Sequence, residues 1–113
     1  MRDREYNGWT NYETWLVNLW MDNEEGSQEF FREQAEDIYA EAKADTAGHA
    51  VWTPSETARF RFAAWLKDHH EEQRPELPGL YGDLLGGALS EVNWGEIARH
   101  YIEAVEEEAN AKG

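Results

Sequence analysis

His69-His70-Glu71-Glu72 is the densest run of metal-ligating side chains in the chain. Two imidazoles on one helix share a metal when they stand one turn apart, at i and i+4. Adjacent histidines point roughly 100° apart around a helix and do not. His69 also falls on an apolar stripe, so a hydrogen-bonding neighbour is expected for it and no metal is assigned. His49 and His100 are isolated in sequence. The glycines at 79, 82, 86 and 87 around Asp83 match neither G-x-x-x-x-G-K-[ST] nor G-x-G-x-x-G, so no phosphate loop is read there. Carboxylate pairs suited to general acid–base work arise by chance among 24 Asp and Glu, and no Ser–His–acid order stands out. The absence of Cys excludes thiolate nucleophiles, thiolate zinc sites and disulfides. No catalytic residue, metal or cofactor is expected, and the chain reads as a non-enzyme.

The charged residues point elsewhere. Ten Lys and Arg leave a net charge of −14, which repels nucleic acid and anionic membrane and attracts basic surfaces. Half of it is concentrated between Asp22 and Asp45, where nine acids (Asp22, Glu24, Glu25, Glu29, Glu33, Glu36, Asp37, Glu41, Asp45) meet only Arg32 and Lys43. On a helix, Glu29, Glu33, Glu36, Asp37, Glu41 and Asp45 share one broad arc, about 24 Å long at 1.5 Å per residue. That density approaches the roughly 3.4 Å per phosphate of one DNA strand. Phe30 points toward the acidic side and has the character of an interface anchor ringed by charge. Two readings of this face stand: a surface that mimics nucleic acid, and a solvated face in an acidic or halophilic proteome.

These residues are positioned by a mostly α, single-domain bundle of about five helices, in a chain of 113 residues that is 41% hydrophobic. Thr10 and Glu13 form a capping box for helix one, whose core face is Tyr12, Trp15, Leu16, Leu19 and Trp20, with Thr14, Asn18 and Asp22 on the other side. The run Asp22–Gly26 reads as its stop, and Asn7-Gly8 as a turn before it. Helix two runs from about Ser27 to Ala47, with Gly48 as its stop and a stripe of Phe31, Ala35, Ile38, Tyr39 and Ala42. Thr53-Pro54-Ser55-Glu56 opens helix three, which buries Ala58, Phe62, Trp65, Leu66 and His69 and ends before Pro75. Leu80, Leu84, Leu85, Ala88 and Leu89 outline a fourth helix, its glycines suited to close helix packing. Helix five opens at Asn93 with Glu96, stapled by Val92 and Ile97, and buries Ile97, Ala98, Tyr101, Ile102 and Val105. Residues 1–9 read as an N-terminal extension and 106–113 as a fraying tail. Only 50–52 and the chain start have any strand character.

Three of the six Trp lie in Asn7–Trp20. Trp15 and Trp20 are expected in the core, whereas Trp9, ahead of the helix, is free to pack over its start or to stay exposed to a partner. The segment Asn7-Gly8-Trp9-Thr10-Asn11-Tyr12-Glu13-Thr14-Trp15, continuing through Asn18-Leu19-Trp20 to Asn23-Glu24-Glu25-Gly26, resembles a family of small uncharacterised proteins encoded by phages, plasmids and other mobile elements. Asp83-Leu84-Leu85 through Ala88-Leu89-Ser90-Glu91-Val92-Asn93-Trp94 is similar to a second block of that family. The resemblance implies a mobile-element origin and carries no catalytic or binding residue. Small acidic proteins of such elements often counter host defence.

The leading expectation is an anti-defence inhibitor of the anti-CRISPR or anti-restriction type. Its acidic surface would block the basic channel of a nucleic-acid-binding protein such as a CRISPR effector or restriction enzyme. The partner-binding set is Glu24, Glu25, Glu29, Phe30, Glu33, Glu36, Asp37, Glu41 and Asp45, with Trp9. Alternatives are an accessory adaptor that binds a host or phage protein through an apolar aromatic patch, and a small metal-assisted enzyme. No apolar run approaches a signal sequence or a membrane span, so a soluble protein of the host cytoplasm is expected.

Overall fold

The structure, a computed structural model, describes residues 5–48 and 51–112, without the side chains of Glu25 and Lys112. His49 therefore lies outside the described residues. Five helices follow one another: α1 (Tyr12–Asn23), α2 (Glu25–Asp45), α3 (Pro54–Gln73), α4 (Gly79–Ser90) and α5 (Trp94–Lys112). The fold is the expected mostly α single-domain bundle.

Helices α2, α3 and α5 pack on one another, α1 lies against α2 and α5, and α4 stands apart. The α3 helix runs antiparallel to both neighbours. Phe31 meets His70 and Asp45 meets Arg61 on the α2 side. On the α5 side His70 meets Trp94 and Arg59 meets Glu103. The core holds most of the stripes expected for these three helices: Phe31, Ala35, Tyr39 and Ala42 with Ala58, Phe62 and Leu66 and with Ile97, Ala98, Tyr101, Ile102 and Val105, while Ile38, Trp65 and His69 are only half-buried. Each fully buried Phe, Leu or Ile contributes about 1.5–3 kcal/mol. The four alanines of these stripes are completely buried.

The start of α3 forms as read. Thr53 Oγ1 accepts from Glu56 N–H at 3.1 Å, Glu56 Oε1 accepts from Thr53 N–H at 2.9 Å, and Pro54 takes the first helical position. The Thr53 backbone N–H first and the Thr53 side chain second, hydrogen-bonding the Glu56 carboxyl, hold it below its ordinary pKa. Asn7-Gly8 forms the expected turn, with both residues at positive φ (48° and 85°) and Tyr6 and Trp9 exchanging backbone hydrogen bonds. That is the backbone a tight Asn-Gly turn requires.

Several expectations are corrected. The N-cap of α1 is Asn11, not Thr10: its Oδ1 accepts from Thr14 N–H at 2.9 Å. The helix is also rotated from the expected setting. Thr14, Asn18 and Met21 are buried, while Tyr12 is 46% and Trp20 64% exposed. Hydrogen bonds from α5 and its approach draw the polar face inward. Asn93 N–H donates to Thr14 Oγ1, Tyr101 O–H to Asp22 Oδ1, and Asn11 Nδ2 to the Glu91 carbonyl. The first helix ends within the expected run, at Asn23, but α2 begins at Glu25 rather than near Ser27, so only Glu24 separates them and Gly26 lies inside α2. The expected fraying tail is helical through Lys112, because Val105 is buried and Ala109 packs on the core.

The α4 glycines do not serve close helix packing, since α4 has no buried residue. Gly82 has a local reason instead: a Cβ there would overlap the Leu77 carbonyl oxygen, which folds back over the first turn of the helix.

Candidate functional site

On α2 the positions Glu29, Glu33, Asp37, Glu41 and Asp45 are four residues apart, so they form one row that winds slowly along the outer surface, rising about 6 Å per step. All five side chains are exposed, as are Glu24 and Glu36. The side chain of Glu25 lies outside the described residues. Two members of the expected set are tied down. Asp45 Oδ2 meets Arg61 Nη1 at 2.7 Å, and Glu36 meets Arg32 Nε at 3.6 Å. Arg32 also pairs with Glu108, and Lys43 lies over the Tyr39 ring at 5.7 Å. Both cations of α2 are thereby held away from the row. Glu29, Glu33, Asp37 and Glu41 make no ion pair among the described residues and span about 18 Å.

Phe30 does not point into this acidic row. Its ring lies 5.8 Å from Trp65 and 5.5 Å from His69, on the flank facing α3. It remains partly exposed because that flank is the edge of the bundle. Trp9 is half-buried and packs on His100 with ring centroids 4.3 Å apart and the rings tilted by 31°. The turn at Asn7-Gly8 folds it back onto α5, so of the two placements open to it in sequence it takes the packed one. Exposed aromatic surface is found instead on the outer face of α1 and on α4. Tyr6 lies 5.1 Å from Tyr12 and 4.8 Å from Trp15, with Trp20 two turns beyond Tyr12. Leu80, Tyr81 and Leu84 are exposed on α4. The strong apolar arc of α1 was legible in sequence; its outward direction was not.

The histidine pair is part of an aromatic cluster. His69 stacks on Trp65 at 4.9 Å, in keeping with its place on the α3 stripe. His70 is held between the Phe31 ring at 5.7 Å and the Trp94 ring at 5.0 Å, and its Nδ1 lies 2.8 Å from the Leu66 carbonyl oxygen. Burial pushes the His70 pKa down, with His69 adding to the effect and the Leu66 carbonyl opposing it. The neutral ring with Nδ1–H donating to Leu66 fits this setting. No group of three His, Asp or Glu able to hold a metal is found among the described residues.

A second polar constellation was not foreseen. The starts of α1 and α5 cap each other. Asn93 Oδ1 accepts from Glu96 N–H at 3.0 Å, as the sequence indicates. The Glu96 carboxylate, however, accepts from Thr10 N–H at 3.0 Å rather than from its own N-cap. Asn93 N–H goes to Thr14 Oγ1 at 2.8 Å. One turn and two turns further along α1, Asn18 and Asp22 line a cleft with Arg32, His100 and Tyr101. Tyr101 donates to Asp22 at 2.6 Å, and burial first and this carboxylate second raise the phenol well above its ordinary pKa. No sequence signal reveals bonds between residues some 80 positions apart.

The chain belongs to a family of unknown function (DUF7249), whose model matches residues 2–109. No curated protein and no solved structure matches it significantly. No helix among the described residues is long and apolar enough to cross a membrane.

Proposed function

We propose that this chain is a non-enzymatic binding protein whose α2 carboxylate row docks on a basic, nucleic-acid-binding surface of another protein. The observation that carries the reading is the run Glu29, Glu33, Asp37 and Glu41, exposed on one helical row and without ion pairs among the described residues. Like charges at i and i+4 cost a helix about 0.2–0.5 kcal/mol per pair. The row is thus maintained against the stability of its own helix, while the nearby cations serve other contacts. Its step of about 6 Å places a carboxylate opposite about every second phosphate of one DNA strand. Taken with the sequence resemblance to mobile-element proteins, the row suits an anti-defence role: occupying the channel of a CRISPR effector or restriction enzyme in competition with DNA or guide RNA.

The test is capture of bound proteins from a bacterial lysate at low and high salt, followed by competition with DNA. The expected partner is a nucleic-acid-binding protein whose affinity falls steeply with salt and which DNA displaces. Glu33→Lys with Asp37→Lys and Glu41→Lys should abolish its capture. A partner held equally well by this variant, or at both salt concentrations, would refute the role of the row.

A second reading is favoured by a separate observation, the exposure of Tyr12 and Trp20 on α1. It makes the chain an adaptor that binds a protein through this aromatic face. Binding would then vary little with salt and be lost in Trp20→Ser.

A further inference from the structure

The outer face of α1 is an apolar surface with a pocket beside its last turns. Tyr12 and Trp20, two turns apart, are exposed, and Trp15, Leu16 and Leu19 between them are partly exposed. Tyr6 extends the surface, its ring 5.1 Å from Tyr12. Trp20 also forms one wall of a pocket of about 340 Å³, where α1 meets the start of α2 and the end of α3. That volume is at the lower end for ligand sites and suits one or two large side chains rather than a cofactor. The lining is mostly apolar or aromatic, with Val17 and Phe31 beside Trp20 and the rings of His69 and His70 opposite, and the exposed Glu24 completes it.

The charge around this surface has one sign. Glu13 and Asp22 flank the α1 arc, Glu24 stands at the pocket, and from Glu5 to Phe31 the chain has six acids and no Lys or Arg. The cations nearest in sequence on the adjoining helices are engaged, Arg32 by Glu36 and Glu108 and Arg74 by Glu71. A second copy of the chain would set the same acids against these and be repelled. An apolar stripe edged with Lys or Arg answers both the aromatic surface and its acidic border. The 12 residues of α1 give a face about 18 Å long, the length of about three turns of a partner helix laid along it.

We propose that this face binds a basic amphipathic helix of another protein, with one large apolar side chain seated in the pocket beside Trp20. The inference rests on the adaptor reading of the α1 face and names the partner that face takes; it makes no use of the α2 row. The apolar stripe supplies the contact, and the border charges select basic helices over acidic ones. Exposed pairs are individually weak, so the salt dependence should stay within about tenfold.

The experiment is titration of the ¹⁵N-labelled full chain, followed by NMR, with three synthetic peptides of about 18 residues built on the helix-in-groove pattern. The first contains Leu, Ala and Lys, with its leucines at i, i+3, i+4 and i+7. The second has the same composition with the leucines scattered around the helix. The third keeps the stripe and carries Glu in place of Lys. The Trp20 indole N–H should shift saturably with the first, and the other two should bind at least about tenfold more weakly. Trp20→Ser should weaken the first peptide by about tenfold or more, whereas Glu33→Gln with Asp37→Asn on α2 should leave its binding unchanged. Equal binding of the scattered peptide would reduce the attraction to net charge and overturn the proposal, as would equal binding of the Glu peptide or unaltered binding in Trp20→Ser. A dimer of the chain that Trp20→Ser dissociates in sedimentation would give the face to a second copy and overturn it too. If a lysate partner is lost in Trp20→Ser while the basic peptide does not bind, the adaptor reading stands and this inference fails; if neither depends on Trp20, both fail.

Discussion

His70 carries one residue-scale consequence. It sits between Phe31 and Trp94, with Nδ1 against the Leu66 carbonyl, and burial depresses its pKa from the ordinary 6.5. Between the folded value and 6.5 the unfolded chain binds more protons than the folded one, so stability rises with pH across that window. The stabilisation is complete above 6.5 and is lost as the pH falls toward the folded value. Melting temperature followed by circular dichroism should therefore drop between about pH 7.5 and about pH 5.5. In His70→Gln this drop should be reduced, because the titrating group is gone. An unchanged pH slope in the variant would assign the effect to other groups. Gly82 carries a second consequence. Because a Cβ would collide with the Leu77 carbonyl oxygen, Gly82→Ala should disorder the start of α4 despite alanine's better helix propensity. The amides of Leu80 to Asp83 should then exchange with solvent faster, while the core stripes keep their protection.

At the scale of the element, α1 gives the sharpest contrast. Thr14 is fully buried; it donates to Asn11 Oδ1 at 2.7 Å and accepts from Asn93 N–H. Thr14→Val keeps the shape and the bond from the residue-14 N–H to Asn11 Oδ1 but strands the Asn93 N–H, at a cost of about 1–3 kcal/mol. Trp20→Ser, on the outer face, should change stability by less than about 0.5 kcal/mol. Urea unfolding of the two variants distinguishes the observed setting of α1 from one with its aromatics in the core, which would reverse the order. The same helix shows what can be read from sequence. The stripes of α2, α3 and α5 were legible because their apolar periodicity and their burial coincide, as at Phe31, Phe62 and Ile102. The start of α3 was legible because Thr53, Pro54 and Glu56 act on one another locally. In α1 the apolar arc is equally regular, yet Asn11 donates to the Glu91 carbonyl and Thr14 accepts from Asn93 N–H, and these bonds leave Tyr12 and Trp20 facing outward. Nothing near residue 14 announces a partner at residue 93. The cleft was hidden for the same reason, since Asp22 read as one more acid until Tyr101 was placed against it.

For the whole molecule, charge and shape act together. The radius of gyration is 15.6 Å, against roughly 13 Å for a compact chain of this length, and α4, standing apart from the other helices, contributes to the difference. A net charge of −14 on so small a body opposes compaction. The α2 row adds local repulsion, and since its members are exposed and take no part in the core, the docking reading sets function and stability in opposition there. Replacing Glu33 with Gln and Asp37 with Asn removes the three like-charge contacts among Glu29, Glu33, Asp37 and Glu41. At about 0.2–0.5 kcal/mol each, the double variant should be more stable than the parent by about 1 kcal/mol at low salt. The gain should shrink as salt screens the repulsion, whose range falls to about 8 Å at physiological ionic strength. Under the docking reading, the same variant should lose affinity for its basic partner. Denaturant unfolding at two salt concentrations, run beside the capture experiment, measures both effects. A variant that is more stable and still binds as the parent does would show the row to be only a solvated helix face. A stability gain accompanied by lost binding would mark it as a surface maintained for a partner.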